Sequence, residues 1–454
     1  MKRSTHTHRA ALAAALATTA LFSAREALAT PPGTYGFGAR ASALAGAVSA
    51  DGGDSSSVYY NPAALVRATG VRVDVGYFYA HHALSVNGFD SAVDPAHGVI
   101  GGVVAPGRLF GIPFAFGLAT HLPDDRLSRS RALPQLQPRW ELFDNRVQLL
   151  YLAADVAIAP VRWLRIGGGI SFISSTRGRL DIYGDIAFPQ ANASRLRHAV
   201  DADLRAVRYA QAGIQVDIND KLTLSAVYRG EFRLALEFDA TVMGSVVVGS
   251  GAGGTRIPGR YDLVSRSTAV FLPHNFVVGA KFTPTPTLTF LADVTYQNFA
   301  AYPNPTARLD VALDLTPPPG LNIPIPALPP GVNPAPAAFH DTVSLRLGAE
   351  WRRAIRAHEL ALRGGYRFEP SPVPEQSSSD SNFLDCDRHA VSLGAGFRIG
   401  GIDAIRGGLS FDLYSTLQAL APRMYRKSNP ADTVGDQSLG GFVFDVGITT
   451  SVAF

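Results

Sequence analysis

The chain holds eleven histidines and one cysteine, Cys386, and none stands at a spacing that supports catalysis. Zinc held by two histidines on one helical face needs an H-E-x-x-H run, which is absent. No G-x-S-x-G turn presents a serine nucleophile, and no P-loop cradles a phosphate. Gly167-Gly168-Gly169 lies in a predicted strand with no helix after it, so it does not read as a nucleotide loop. Asp51 and Asp54 lack the alternating oxygen ligands of a calcium site. Cys386 falls in a predicted loop as a free thiol. No catalytic residue, metal or cofactor is therefore expected, and the chain does not read as an enzyme. The charged residues instead recur on one face of successive segments: Arg229, Glu231 and Arg233, then Arg346 and Glu350, then Arg363 and Arg367. Such a set meets either a carboxylate headgroup or its own members.

Those segments alternate with period two, which places neighbouring side chains on opposite faces of a strand. In 222–238, Leu222, Leu224, Ala226, Tyr228, Gly230, Phe232, Leu234, Leu236 and Phe238 share one face. Thr223, Ser225, Val227, Arg229, Glu231, Arg233, Ala235 and Glu237 share the other. Leu345, Leu347 and Trp351 likewise oppose Ser344, Arg346 and Glu350, and Asp445, Thr449 and Ser451 line one face of the last segment. Many of these strands exceed the usual soluble length of about 5–6 residues. A tilted membrane strand needs roughly 9–11. An apolar face with terminal aromatics suits lipid, and a charged face suits a wet lumen. Closure into a barrel then satisfies every backbone group without water.

The expected fold is an all-β transmembrane antiparallel barrel of about fourteen strands. They are placed near 71–80, 98–105, 112–122, 144–159, 161–176, 198–218, 221–239, 260–283, 287–299, 341–353, 357–368, 388–399, 402–414 and 440–454. Asn219-Asp220 and Pro284-Thr285-Pro286 read as short periplasmic turns. Segments 123–140, 177–197, 300–340, 369–387 and 415–439 read as extracellular loops. Within the loop at 316–337, nine prolines predict a stiff, extended chain.

Composition agrees. Charged residues are 17% and hydrophobic ones 46%, with 44 Gly and 31 Pro, which argues against both disorder and a mainly helical protein. The net charge is +4, but Lys2, Arg3, Arg9 and Arg25 against Glu26 place most of it in the first 29 residues. No basic patch remains to recruit nucleic acid. That same start reads as a signal peptide: a positive n-region, an apolar run from Ala10 to Ala24, and an Ala27-Leu28-Ala29 cleavage site. The expected organisation is signal peptide 1–29, an N-terminal segment 30–70 that does not alternate, and a barrel over 71–454.

The segment before the barrel closely resembles a known family. Gly36 to Ala47 is built of small residues and leads through Asp51-Gly52-Gly53-Asp54 into Tyr59-Tyr60-Asn61-Pro62-Ala63-Ala64-Leu65. This is similar to the N-terminal plug, or hatch, of the FadL/TodX outer-membrane transporters, with Asn61, Pro62 and Ala63 matching the family's N-P-A motif. Phe368-Glu369-Pro370-Ser371-Pro372-Val373-Pro374 resembles the family's strand end followed by S-P-V-P, and Leu272-Pro273-His274 its L-P-x pattern. The terminal Phe454 ends an alternating strand, as in outer-membrane barrels. The resemblance spans residues 36 to 454.

The resemblance implies a lumen blocked by the N-terminal segment, in the outer membrane of a Gram-negative bacterium. It implies passive uptake of hydrophobic molecules, long-chain fatty acids or alkylbenzenes and other aromatic hydrocarbons, released sideways into outer-membrane lipid by a monomer. Asn61, Pro62 and Ala63 are the expected hinge or stop of the plug; the plain alternative is an Asx–Pro turn. Gly111, Pro113 and Gly117 in the third strand are candidates for the lateral opening or mark an ordinary bulge. Val242, Met243, Val246, Val247 and Val248 are an apolar patch between strands seven and eight, either part of an outer hydrophobic groove or a prolonged strand. A porin for polar solutes and a non-transporting barrel serving secretion or surface attachment are the competing readings.

Overall fold

A computed structural model describes residues 31–124, 136–143, 150–188, 195–248, 255–304, 308–315, 335–378, 382–402, 405 and 407–454. The expected signal peptide and most of the proline-rich loop lie outside them. Fourteen strands close into an antiparallel barrel. In chain order they are β1 (Arg72–Val86), β2 (Ala96–Leu109), β3 (Ile112–Pro123), β4 (Tyr151–Val161), β5 (Leu164–Phe188), β6 (Arg195–Asp217) and β7 (Leu222–Arg229). They continue with β8 (Asn275–Thr285), β9 (Leu288–Gln297), β10 (Thr342–Ile355), β11 (His358–Glu369), β12 (Arg388–Ile399), β13 (Gly408–Tyr425) and β14 (Gln437–Ala453). Each pairs with the next, and β1 closes on β14 from Arg72↔Ala453 to Val86↔Leu439, so the barrel ladder has no free edge.

The two faces separate as the alternation requires. On β10, Val343, Leu345, Leu347 and Trp351 point outward, while Ser344, Arg346 and Glu350 are buried inside. The same outward set recurs around the barrel, with Val75, Leu118, Val156, Val294, Leu393, Leu413 and Ile448 each more than a third exposed. A continuous apolar belt of this kind is stable only against lipid. Among the described residues no helix is long and apolar enough to cross a membrane; the strands cross it.

One end of the barrel has tight turns at 110–111, 162–163, 286–287 and 356–357. At the other end several strands run well past the barrel wall, and here five sequence expectations need correction. Residues 177–188 and 195–197 are not loop but the far ends of β5 and β6, paired from Leu164↔Val216 to Asp185↔Arg195. Residues 308–315, expected within a loop, form a strand, and β13 runs on to Tyr425. The seventh strand breaks after Arg229 and resumes as an outer strand, Phe232–Val248. Phe232, expected on the lipid face, is buried, because the interruption at Gly230-Glu231 shifts the alternation by one face. The eighth strand breaks likewise at Pro273-His274, ahead of which lies the outer strand Thr255–Leu272. Phe232–Val248 pairs with Thr255–Leu272 on one edge. On the other it pairs, in parallel, with β5 residues 178–188. β4 leaves that edge free beyond Ile173, so the outer hairpin bypasses its sequence neighbour β6 to reach it. Arg308–Leu315 completes this outer sheet against 259–266.

Candidate functional site

The lumen is filled by residues 31–67, which form three short helices, α1 (Pro31–Tyr35), α2 (Ala39–Ala43) and α3 (Ser57–Tyr60), and a 3-10 turn, Pro62–Arg67. Almost every residue from Ala41 to Leu65 is buried. Small side chains let this segment lie against the wall, and the wall answers with glycine. A Cβ on Gly213 would fall 2.0 Å from Asn61 Oδ1, and one on Gly167 would fall 2.5 Å from the Ala63 nitrogen. Gly365 faces the backbone of Leu44 and Ala45 at 2.5 Å, and Gly394 faces the Ala43 methyl at 2.5 Å. Such approaches leave no room for any other residue.

Asn61 stands at the centre of this packing. Its extended backbone (φ −163°, ψ 107°) caps the 3-10 turn while Pro62 opens it, where a missing N–H costs nothing. Its Oδ1 accepts from the Ala63 N–H at 3.0 Å, and its Nδ2 donates to the carbonyls of Ser49 at 2.7 Å and Ile214 at 3.3 Å. The side chain therefore caps locally and also ties the segment to β6. Gln215 reinforces the tie by donating to the carbonyls of Ser49 and Asp51.

Two charged groups flank the segment. Toward the short-turn end, Glu350 receives Arg40, Arg352 and Arg363 at 3.1, 2.7 and 2.6 Å. Arg40 also pairs with Asp51, which Lys281 meets at 2.6 Å, and Arg363 pairs with Asp412 at 2.6 Å. Every charge in this group has a partner.

The second group stands toward the loop end. Glu369 pairs with Arg346 at 3.0 Å and with Arg367 and Arg388 at 3.6 Å. Arg367 also donates to the carbonyl of Thr34. Arg229 donates to the carbonyls of Tyr59 and Tyr60 and stands 4.6 Å over the Tyr59 ring. The buried Nε atoms of Arg346 and Arg388 have no hydrogen-bond partner among the described residues. Arg229, Arg346, Arg388 and Glu369 line a cavity of about 30 Å³ with Tyr59, Tyr209, Leu142, Leu272 and Phe299. That volume holds a water or two, so the site is closed in this conformation.

Above the cavity the loops bury an aromatic cap. Tyr302 stacks on Phe339 at 4.3 Å, Phe383 meets Phe339 edge-on at 5.4 Å, and Phe271 meets Tyr302 at 5.8 Å. Trp140 and Phe143 join it, held by a short parallel bridge of Arg139 and Trp140 with Phe383 and Leu384. Nearby, burial pushes the Cys386 thiol up to about 12, aided by the charge of Asp385.

Asn61, Pro62 and Ala63 thus sit together at the contact between the segment and β5–β6. The other sequence candidates do not join them. Gly111 lies in the tight turn before β3, with φ +81°, and Pro113 is one residue into that strand. Gly117 faces the lumen, packed against Leu65 and Val58. No bulge marks β3, whose ladders to β2 and β4 run without a register shift. Val242, Met243, Val246, Val247 and Val248 prolong a strand, paired through their backbones on both edges. The sequence reading missed the glycine seats and the arginine cluster around Glu369. Glycine recurring at inward positions of Gly167, Gly213, Gly348 and Gly394 was the available signal for the first.

Residues 164–405, more than half of the chain, match the family described as outer membrane protein transport protein (OMPP1/FadL/TodX). Among solved structures, a FadL homologue of Pseudomonas aeruginosa aligns with TM-score 0.56 and 16% identity, covering 94% of this chain and 98% of its own. The toluene transporter TodX of Pseudomonas putida aligns with TM-score 0.55 and 15% identity, covering 92% and 99%. No curated protein matches the sequence.

Proposed function

The chain belongs to the OMPP1/FadL/TodX family of outer-membrane transport proteins, and on that premise we propose that it carries amphipathic hydrophobic molecules with an anionic head, long-chain fatty acids above all, passively across the outer leaflet. The observation that carries the substrate class is the loop-end charge group: beneath an aromatic cap, the buried Nε atoms of Arg346 and Arg388, both lining the cavity, have no hydrogen-bond partner among the described residues. A fatty-acid carboxylate would accept from those Nε atoms, and its chain finds apolar surroundings in the cap. A neutral alkylbenzene would leave those donors without an acceptor. The N-terminal segment acts as a plug, with Asn61-Pro62-Ala63 as its anchor on β5 and β6; an apolar ligand then avoids bulk water throughout, and no energy source is required. The chain is exported behind a cleaved signal peptide.

The test is uptake into proteoliposomes of a labelled long-chain fatty acid, an alkylbenzene and a small sugar. Arg388→Gln should slow fatty-acid uptake by roughly tenfold, the scale of one lost charge-assisted hydrogen bond, and leave alkylbenzene uptake unchanged. Equal loss for both compounds removes the headgroup assignment. Rapid passage of the sugar alone establishes a porin instead.

A further inference from the structure

The outward face of β8–β11 is grooved. Phe282, Phe290, Ala349 and Gly364 are ladder partners in one row, and Ala280, Ala292, Leu347 and Tyr366 in the next. Small residues fall at the β10–β11 end of the first row and at the β8–β9 end of the second. Between the two phenylalanines and the Leu347–Tyr366 pair this leaves an apolar groove of about 480 Å³. Surface that finds no neighbour there forfeits its dispersion contacts. Toward the short turns the same face gains charge. Trp351 follows Ala349 outward on β10, Arg353 follows Trp351, and Arg356 stands in the turn. Both arginines are exposed, and neither has an ion pair or side-chain hydrogen bond among the described residues. The carboxylates of β10 and β11, Glu350, Glu359 and Glu369, all lie on the inward face, paired with Arg363, Arg398 and Arg346. Arg356 is also held at φ +56°, where glycine or asparagine is the easier residue.

From this we propose that the β8–β11 face seats one phospholipid with an anionic headgroup, drawn from the leaflet on the short-turn side. Its phosphate lies on Arg353 and Arg356, whose guanidinium forks match phosphate oxygens, and an acyl chain lies in the groove. The spacing suits such a molecule. Ala349 and Arg353 are four residues apart, about 13 Å along the strand, or roughly 10 Å of depth at the usual barrel tilt. A zwitterionic lipid would bring its own cation to the two arginines. A second copy docked on this face across a two-fold axis would bring the arginines to their own counterparts. The seat is independent of what the lumen carries.

The test uses the whole barrel in neutral phosphatidylcholine bilayers. With Trp140→Phe and Trp163→Phe, Trp351 is the one left of three tryptophans, and its fluorescence reports the adjoining lipid. Chain-brominated phosphatidylglycerol should quench it with roughly tenfold higher affinity than chain-brominated phosphatidylethanolamine, the scale of two interfacial arginines partly screened by salt. Arg353→Gln with Arg356→Gln should abolish the preference, while Arg260→Gln on the loop side should keep it. Gly364→Leu should fill the groove and weaken quenching by the brominated phosphatidylglycerol. The barrel accommodates that change, because a Cβ there meets only Leu393 at 3.8 Å and the Ser392 carbonyl oxygen at 3.9 Å; heat-modifiable gel mobility confirms that each variant has folded. Equal affinity for the two lipids, or a preference that survives loss of both arginines, refutes the seat. Shielding of Trp351 from both lipids, with a sedimenting dimer that Gly364→Leu dissociates, gives the face to a second copy instead.

Discussion

Replacing Asn61 by alanine should release the N-terminal segment from the wall. The substitution removes the acceptor for the Ala63 N–H and the donor to the Ser49 carbonyl. The carbonyl keeps Gln215 at 2.9 Å, so its loss is that of an ordinary hydrogen bond, about 1 kcal/mol. The Ala63 N–H is left buried without a partner, which costs about 1–3 kcal/mol. The sum, about 2–4 kcal/mol, raises the undocked population roughly 30- to 1000-fold at 1.4 kcal/mol per decade. Gly213→Ala attacks the same contact from the other side, since its methyl would stand 2.0 Å from Asn61 Oδ1. With Asn61 already truncated that overlap disappears, so the two changes should be less than additive by about 1–2 kcal/mol. Liposome swelling in a small sugar reports the open fraction, and heat-modifiable gel mobility confirms that each barrel has folded. Strict additivity, or swelling at the parental rate in Asn61→Ala, would refute the account of this triplet as the anchor.

Other outcomes follow from neighbouring contacts. Gly365→Val should unseat the segment as effectively, because the clash is with the backbone of Leu44 and Ala45 and no side chain can yield; protease cleavage within 31–67 of the folded protein measures it. Glu350→Gln should lower stability by about 3 kcal/mol, the low end for a buried charge group because Arg40 and Arg363 keep Asp51 and Asp412; a fall in the urea midpoint checks this. The Cys386 thiol should resist maleimide between about pH 7 and 9, where a free thiol ionises. Burial holds it protonated, and labelling should appear only on unfolding, with fast labelling of the folded barrel as the contrary result.

The barrel was legible because its physics is local. Leu345, Leu347 and Trp351 against Ser344, Arg346 and Glu350 needs only the pleat of one strand, and the structure reproduces that separation. The outer sheet was not legible, because its pairing skips a strand: nothing in 178–188 signals a partner at 238–248. Gly178 and Gly184 read as loop although both are in register on two sides. The sequence reading gave no role to Gly213, Gly365 and Gly394, whereas each is a place where the N-terminal segment touches the wall. In β3, Pro113 falls beside the turn and Gly117 opposite the segment, so glycine and proline there carry packing without a break. The arginines around Glu369 come from three strands, and only closure of the barrel brings them to one carboxylate.

The position of the N-terminal segment also bears on how the protein reaches its native state. The Ala39 N–H donates to Thr449, 410 residues away, and Thr34 accepts from Arg367, 333 residues away. The part of the chain made first is thus completed last. These two contacts form only when β11 and β14 stand beside the segment, and bringing such distant partners together carries the entropy of a very long loop. Folding of this kind has a high contact order and is slow. The segment then secures a finished barrel without helping to build it, so its interactions act on the unfolding rate and leave the rate of barrel formation to the strands.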